Sequence, residues 1–266
     1  MNTNIAINQA AVTRAAPMPL MTLLRAYATE AKYETLNALR NPAFAVPFLA
    51  IPVAVYLLFG IVILPADTEP GMRNYLFSGF SVLAAMMPSI FIGCMGIALE
   101  REGGLLKLKR ALPMPAGANL VAKLLTSMIV STMAIVPITI AGLTIGQLTL
   151  SLSQVLILEL VMIVGTIPFF TIGFFIGSVA SGSAAPAYGN LVFLPMMWLS
   201  GLFIPLPKFL EPWAVVWPAF HLNQVALTSA GVSEFSFFPP AIAAAVLVGV
   251  TVLFGGLGIW RVARVG

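Results

Sequence analysis

Long apolar runs recur along the chain, separated by short polar stretches. A helix that crosses a bilayer needs about 20 mostly apolar residues. Runs that meet or approach this length fall at 43–64, 75–99, 124–148, 155–180, 187–204 and 239–259. They predict an all-α integral membrane fold with six transmembrane helices over residues 42–266. The fifth run is the shortest, and it leads into an apolar stretch holding Pro205, Pro207, Pro212 and Pro218. Proline lacks an amide donor and breaks helices. Short broken helices in a re-entrant hairpin, 204–238, are therefore expected there, since irregular backbone at membrane depth must be buried in protein or line water.

Ahead of the first run, residues 20–41 read as an amphipathic interfacial helix. Leu20, Leu24, Tyr27, Ala28, Ala31, Thr35, Ala38 and Leu39 share one face at helical spacing, with Arg25, Thr29, Lys32, Asn37 and Arg40 opposite. Such a helix lies in the headgroup region with its bases toward anionic lipid. It is either a passive anchor or a lever that touches a cytoplasmic partner. Residues 1–19 hold Asn2, Asn4, Asn8 and Gln9 with no apolar core, which predicts a flexible cytoplasmic segment and not a signal peptide.

Composition sharpens this reading. Of 266 residues, 60% are hydrophobic and 8% charged, against about 25% charged in soluble domains; lipid is the solvent for much of the surface. The placement of charge then sets orientation. With the N-terminus inside, Arg14, Arg25, Lys32, Arg40, Arg101, Lys107, Lys109, Arg110, Lys123, Arg261 and Arg264 all fall on the cytoplasmic side, and only Arg73 and Lys208 fall outside. This is the asymmetry of the positive-inside rule. It predicts a multi-pass protein of a bacterial cytoplasmic membrane with both termini cytoplasmic. The outer loops carry Asp67, Glu69, Glu211 and Glu234. The basic residues follow topology, so no nucleic-acid partner is expected.

Residues 100–123 form the one long inner loop. Gly103 and Gly104 permit a sharp turn. Leu105, Leu106 and Leu108 with Lys107, Lys109 and Arg110 make one or two short amphipathic turns, which Pro113 and Pro115 stop. An ordinary positive-inside loop and a mechanical contact for a soluble partner both fit that pattern.

These residues carry a resemblance. Glu100-Arg101-Glu102-x-Gly104, then Leu106, Lys109-Arg110, Pro113 and Lys123-Leu124-Leu125 resemble the inner loop of permeases of the ABC type-2 exporter family. Leu199-Ser200-Gly201 followed by Pro205, Pro212-Trp213 and Pro218 is similar to the outer hairpin of that family. Gly103 and Leu105 depart from its commonest pattern, which has an acidic residue and a threonine there. The resemblance implies a permease that pairs with a second copy or a sibling and binds two cytoplasmic ATPase subunits. The inner loop would then be the coupling element, with Glu100, Arg101, Glu102, Gly104, Lys107, Lys109 and Arg110 as its contact residues. Pro205, Pro207, Pro212, Trp213 and Pro218 would form an outer gate. It implies outward movement of a drug, a lipid or a lipid-linked glycan. The chain has no Gly-x-x-x-x-Gly-Lys-Ser/Thr phosphate loop, so it is not expected to be an enzyme: ATP and Mg would be bound by the partner, and no cofactor by this chain.

Within the spans, Glu159 is the one acidic residue. An intramembrane carboxylate is a functional candidate by default, although Glu159 is near enough to a span end to snorkel. Phe169, Phe170, Phe193, Met197, Trp198 and Phe203 form an aromatic and methionine-rich zone, either core or the lining of an adaptable apolar pathway. Gly142-x-x-x-Gly146 and Gly173-x-x-x-Gly177 allow close helix packing. The alternative functions are weaker. An ion-coupled secondary transporter would show internal repeats and mid-membrane charges, and Glu159 stands alone. An intramembrane protease would need Ser200 and His221 as nucleophile and base. One His and the lone Cys94 offer no metal-ligand spacing.

Overall fold

The computed structural model describes residues 19–111, 115, 117–207, 209–232 and 235–265, with Arg110 and Val265 as backbone only. The expected N-terminal segment 1–18 and Pro113, Lys208 and Glu234 lie outside the described residues. The regular elements among the described residues are all helices, in the order α1 (Leu20–Arg40), α2 (Pro42–Val55), α3 (Pro70–Glu102), α4 (Leu105–Ala111), α5 (Ala118–Thr144), α6 (Leu152–Val179), α7 (Ala185–Leu199), α8 (Glu211–Ala214), α9 (Pro218–Ser229) and α10 (Pro240–Val265). The fold is that of an all-α integral membrane protein.

Five of the six expected spans are helices long and apolar enough to cross a membrane: Pro42–Val62, Pro70–Glu102, Ala118–Thr144, Leu152–Val179 and Pro240–Arg264. The first continues past α2 as a wide π-helical stretch, Tyr56–Val62. The run at 187–204 is the exception. It folds as α7, which has only 15 residues, or about 22 Å at 1.5 Å per residue, against a hydrocarbon core of about 30 Å. Gly201 ends the run with φ of +64°, a left-handed turn that glycine accepts at no steric cost. Hydropathy extends the run to Ile204 because the residues after the turn are apolar too. Beyond the turn the proline-rich stretch yields the four-residue α8 and then α9, which begins at Pro218 and is largely buried.

α3 is the central post. It is buried along most of its length and packs most extensively on α6. The two helices cross at a glycine seam. A Cβ on Gly173 of α6 would collide with the Ile90 carbonyl, one on Gly177 would sit 2.5 Å from the Cys94 carbonyl, and one on Gly93 of α3 would sit 2.7 Å from the Phe170 carbonyl. In lipid there is no hydrophobic drive between apolar helices, so close backbone approach through small residues supplies the packing. Gly142-x-x-x-Gly146 does something else. α5 stops at Thr144, and both glycines make room for the Tyr56 hydroxyl at the end of that helix.

α2 and α10 lie at the rim, with few of their apolar side chains buried, as expected of lipid-facing helices. α1 packs along α5. Its protein-facing side is shifted from the apolar arc predicted by spacing: Ala31 and Thr35 are buried, but Leu20 and Leu24 are exposed.

Candidate functional site

α4 is a seven-residue helix held between α3 and α5. Gly104, with φ of +72°, turns the chain off the end of α3. Three helices then place charged side chains beneath α4. Lys109 donates to Glu100 at 2.8 Å and to Asn119 Oδ1 at 2.8 Å, and pairs with Glu30 of α1 at 2.8 Å. Lys123 of α5 pairs with Glu100 at 3.0 Å and with Glu34 of α1. The Asn119 amide donates to the other Glu100 oxygen at 2.6 Å. Thr35 and Thr126 hydroxyls meet at 2.9 Å beside them.

Lys123 is only 1% exposed and Glu100 8%. Charges so placed require partners, because the desolvation of a lone one is costly. Each Glu100 oxygen has one: Oε1 both lysines and Oε2 the Asn119 amide. Burial works against the Lys109 charge, but the hydrogen bonds and charges of Glu100 and Glu30 together outweigh it and hold its pKa above the ordinary lysine value.

The next two residues grip the α6–α7 turn. Arg101 donates to the Ser178 carbonyl at 2.6 Å and to the Ala180 carbonyl, capping the C-terminal end of α6, where a cation is favoured. The Glu102 carboxylate accepts the Gly182 backbone N–H at 2.6 Å. The expected contact residues thus divide into two sets. Glu100, Arg101, Glu102 and Lys109 bind within the protein. Lys107 is exposed and has no ion pair among the described residues, with exposed Leu105 and Leu108 beside it and Leu106 buried behind. The Arg110 side chain lies outside the described residues. Glu30, Glu34 and Asn119 were not foreseen as site residues, though Glu30 and Glu34 stand four apart on one face of α1, a spacing that pairs with bases on a neighbouring helix.

The expected pathway residues are scattered. Phe169, Phe170 and Phe193 are closed inside the bundle; Phe193 packs edge-on against Phe91 at 5.8 Å and Phe170 stacks on Phe174. Met197 is half-buried, Trp198 is exposed, and Phe203 lies between Trp198 and Phe80. Glu159 is half-exposed two turns into α6, with no hydrogen bond or ion pair among the described residues. At the bundle end away from α4, Pro205 is half-buried, Pro207, Pro212 and Trp213 are exposed, and Pro218 is buried at the start of α9. Ser200 and His221 do not form a nucleophile–base pair: the His221 Nε2 bonds the Val215 carbonyl at 2.7 Å, while Nδ1 and the Ser200 hydroxyl have no partner.

The chain is thus a bundle of helices able to cross a membrane, with a short amphipathic helix pinned by ion pairs at one end. A family model described as ABC-2 type transporter matches residues 25–234, and the chain belongs to that family. It is a membrane component of an ABC transporter, a family role that implies partnership with an ABC ATPase. No curated protein matches the chain.

Proposed function

We propose that this permease is the membrane subunit of an ATP-driven exporter and that α4 is the element through which the ATPase moves it. The observation that carries the reading is the two-sided character of α4. Its inner side is tied to α1, α3 and α5 through Lys109, and its outer side offers Leu105, Lys107 and Leu108. A push on a helix fixed this way cannot be absorbed locally. Lys109 passes it to α1 and α3, and Arg101 and Glu102 pass it to the α6–α7 turn.

In this reading the α4 end faces the cytoplasm of a bacterial cell and both termini are cytoplasmic, in keeping with the basic residues there. Two ATPase subunits bind ATP and Mg, while this chain binds no cofactor. The permease works as a pair with a second copy or a sibling. ATP binding draws the two α4 helices together, and the pathway between protomers closes inside and opens outward past the proline-rich hairpin. The apolar, aromatic character of the spans favours a hydrophobic or amphipathic cargo.

The test uses the complex with its ATPase in nanodiscs. Leu108→Asp and Lys107→Glu are expected to lower substrate-stimulated ATP hydrolysis at least fivefold while leaving assembly of the permease intact. Undiminished stimulation in the combined variant would remove α4 as the contact.

A further inference from the structure

Away from α4, a cavity of about 130 Å³ opens where the α7 turn, α8 and α9 meet the start of α3. That is roughly ten times the space one water needs, so it suits a small headgroup and not a whole drug. Tyr75, Phe220, Phe235 and Phe237 line it, in two touching pairs: Tyr75 with Phe235 at 5.0 Å and Phe220 with Phe237 at 5.6 Å.

The walls are held in place by their own hydrogen bonds. The Tyr75 hydroxyl donates to the Gly201 carbonyl. Gln224, buried behind, donates to the Phe235 carbonyl at 3.3 Å and accepts the N–H groups of Phe237 and Phe238 at 3.1 and 3.2 Å. Two polar groups in the lining are left over. Ser200 is 1% exposed, and its hydroxyl has no partner among the described residues. The Glu211 carboxylate, half-exposed at the mouth, has neither a hydrogen bond nor an ion pair among the described residues.

A buried hydroxyl without a partner is costly. A carboxylate and a hydroxyl oxygen both accept hydrogen bonds, and the faces of aromatic rings carry negative potential that attracts cations. An anion would be repelled, and a neutral apolar group would leave Ser200 and Glu211 unmatched. We propose that this cavity binds a small alkylammonium group carrying at least one N–H, which Glu211 neutralises, Ser200 accepts from, and the four rings enclose. The group belongs to a free amine or to a lipid headgroup. Binding here needs no ATPase, so this site and the coupling role of α4 stand or fall separately.

The test is saturation-transfer NMR on the full chain in phosphatidylglycerol nanodiscs, titrated with trimethylammonium chloride at constant total salt. Saturable binding is expected, with affinity falling at least tenfold in Glu211→Gln and severalfold in Ser200→Ala. The neutral compact alcohol tert-butanol, which also has three methyl groups and one donor hydrogen but no charge, should give no saturable signal. Glu211 is partly exposed and makes no ion pair among the described residues, so its variant should melt with wild type, which keeps the comparison valid. Replacing part of the lipid by phosphatidylethanolamine separates the two sources: competition assigns the site to a headgroup, and its absence to a free amine. Equal binding of tert-butanol, unchanged affinity in Glu211→Gln, or no saturable binding would each overturn the proposal.

Discussion

At the α4 end of the bundle, five charged side chains from α1, α3, α4 and α5 meet in one network with Asn119. At the opposite end, the turn after α7, α8 and α9 are held by aromatic contacts, by the Tyr75 hydroxyl on the Gly201 carbonyl and by Gln224. The two arrangements suit different tasks. A hydrogen-bonded charge network is directional and carries a strong penalty for a missing partner, so it joins the helices that supply it into one unit. Ring packing is less directional, and ring pairs contribute about 0.5–1.5 kcal/mol beyond area, which leaves a surface able to reshape around a guest. The α4 end is stiff, and the end with the small aromatic cavity is adaptable.

The sharpest way to break this contrast is Lys123→Met. It leaves Glu34 without its ion-pair partner and Glu100 with Lys109 alone, and breaking a buried ion pair from one side costs about 3–5 kcal/mol. Unfolding in mild detergent should show a loss of that size, with hydrogen exchange rising first in α1; a loss under 1 kcal/mol would mean the network does not bind α1 to α5. Arg101→Ala comes next. It removes two charge-assisted hydrogen bonds to backbone carbonyls and should cost about 2–3 kcal/mol, with exchange raised at residues 178–182. At the other end, Tyr75→Phe removes one buried hydrogen bond and should cost about 1 kcal/mol. If Tyr75→Phe proved more damaging than Lys123→Met, the ranking of the two ends would be reversed. Smallest is Lys107→Glu, at an exposed position with no ion pair among the described residues, whose stability should stay within about 0.5 kcal/mol of wild type even though coupling to the ATPase is expected to fall.

Much of the fold was legible because hydropathy is a sum over neighbours in the chain. Five spans, the separate α1 and the short α4 follow from residue type alone. The site was legible only in part. The charged residues at 100–110 stand out in an apolar chain, but their partners do not. Arg101 and Glu102 bind the carbonyls of Ser178 and Ala180 and the N–H of Gly182, and backbone groups carry no residue identity for a sequence to display. The shortened α7 was missed for a related reason: the turn at Gly201 changes direction without changing polarity.

The sequence by itself determined which segments belong in lipid and where charge gathers, because transfer into a bilayer depends on the side chains of one segment at a time. Which charges face outward was decided by the tertiary structure. The glycine seam sets how closely α3 and α6 cross, the packing of α1 on α5 brings Glu30 and Glu34 to Lys109 and Lys123, and the placing of α4 and α5 beside α3 makes Glu100 an internal partner while Lys107 stays exposed, without an ion pair among the described residues. A direct ion pair needs its atoms within a few ångströms, and separations that small between residues 79 and 89 positions apart exist only once the helices have packed.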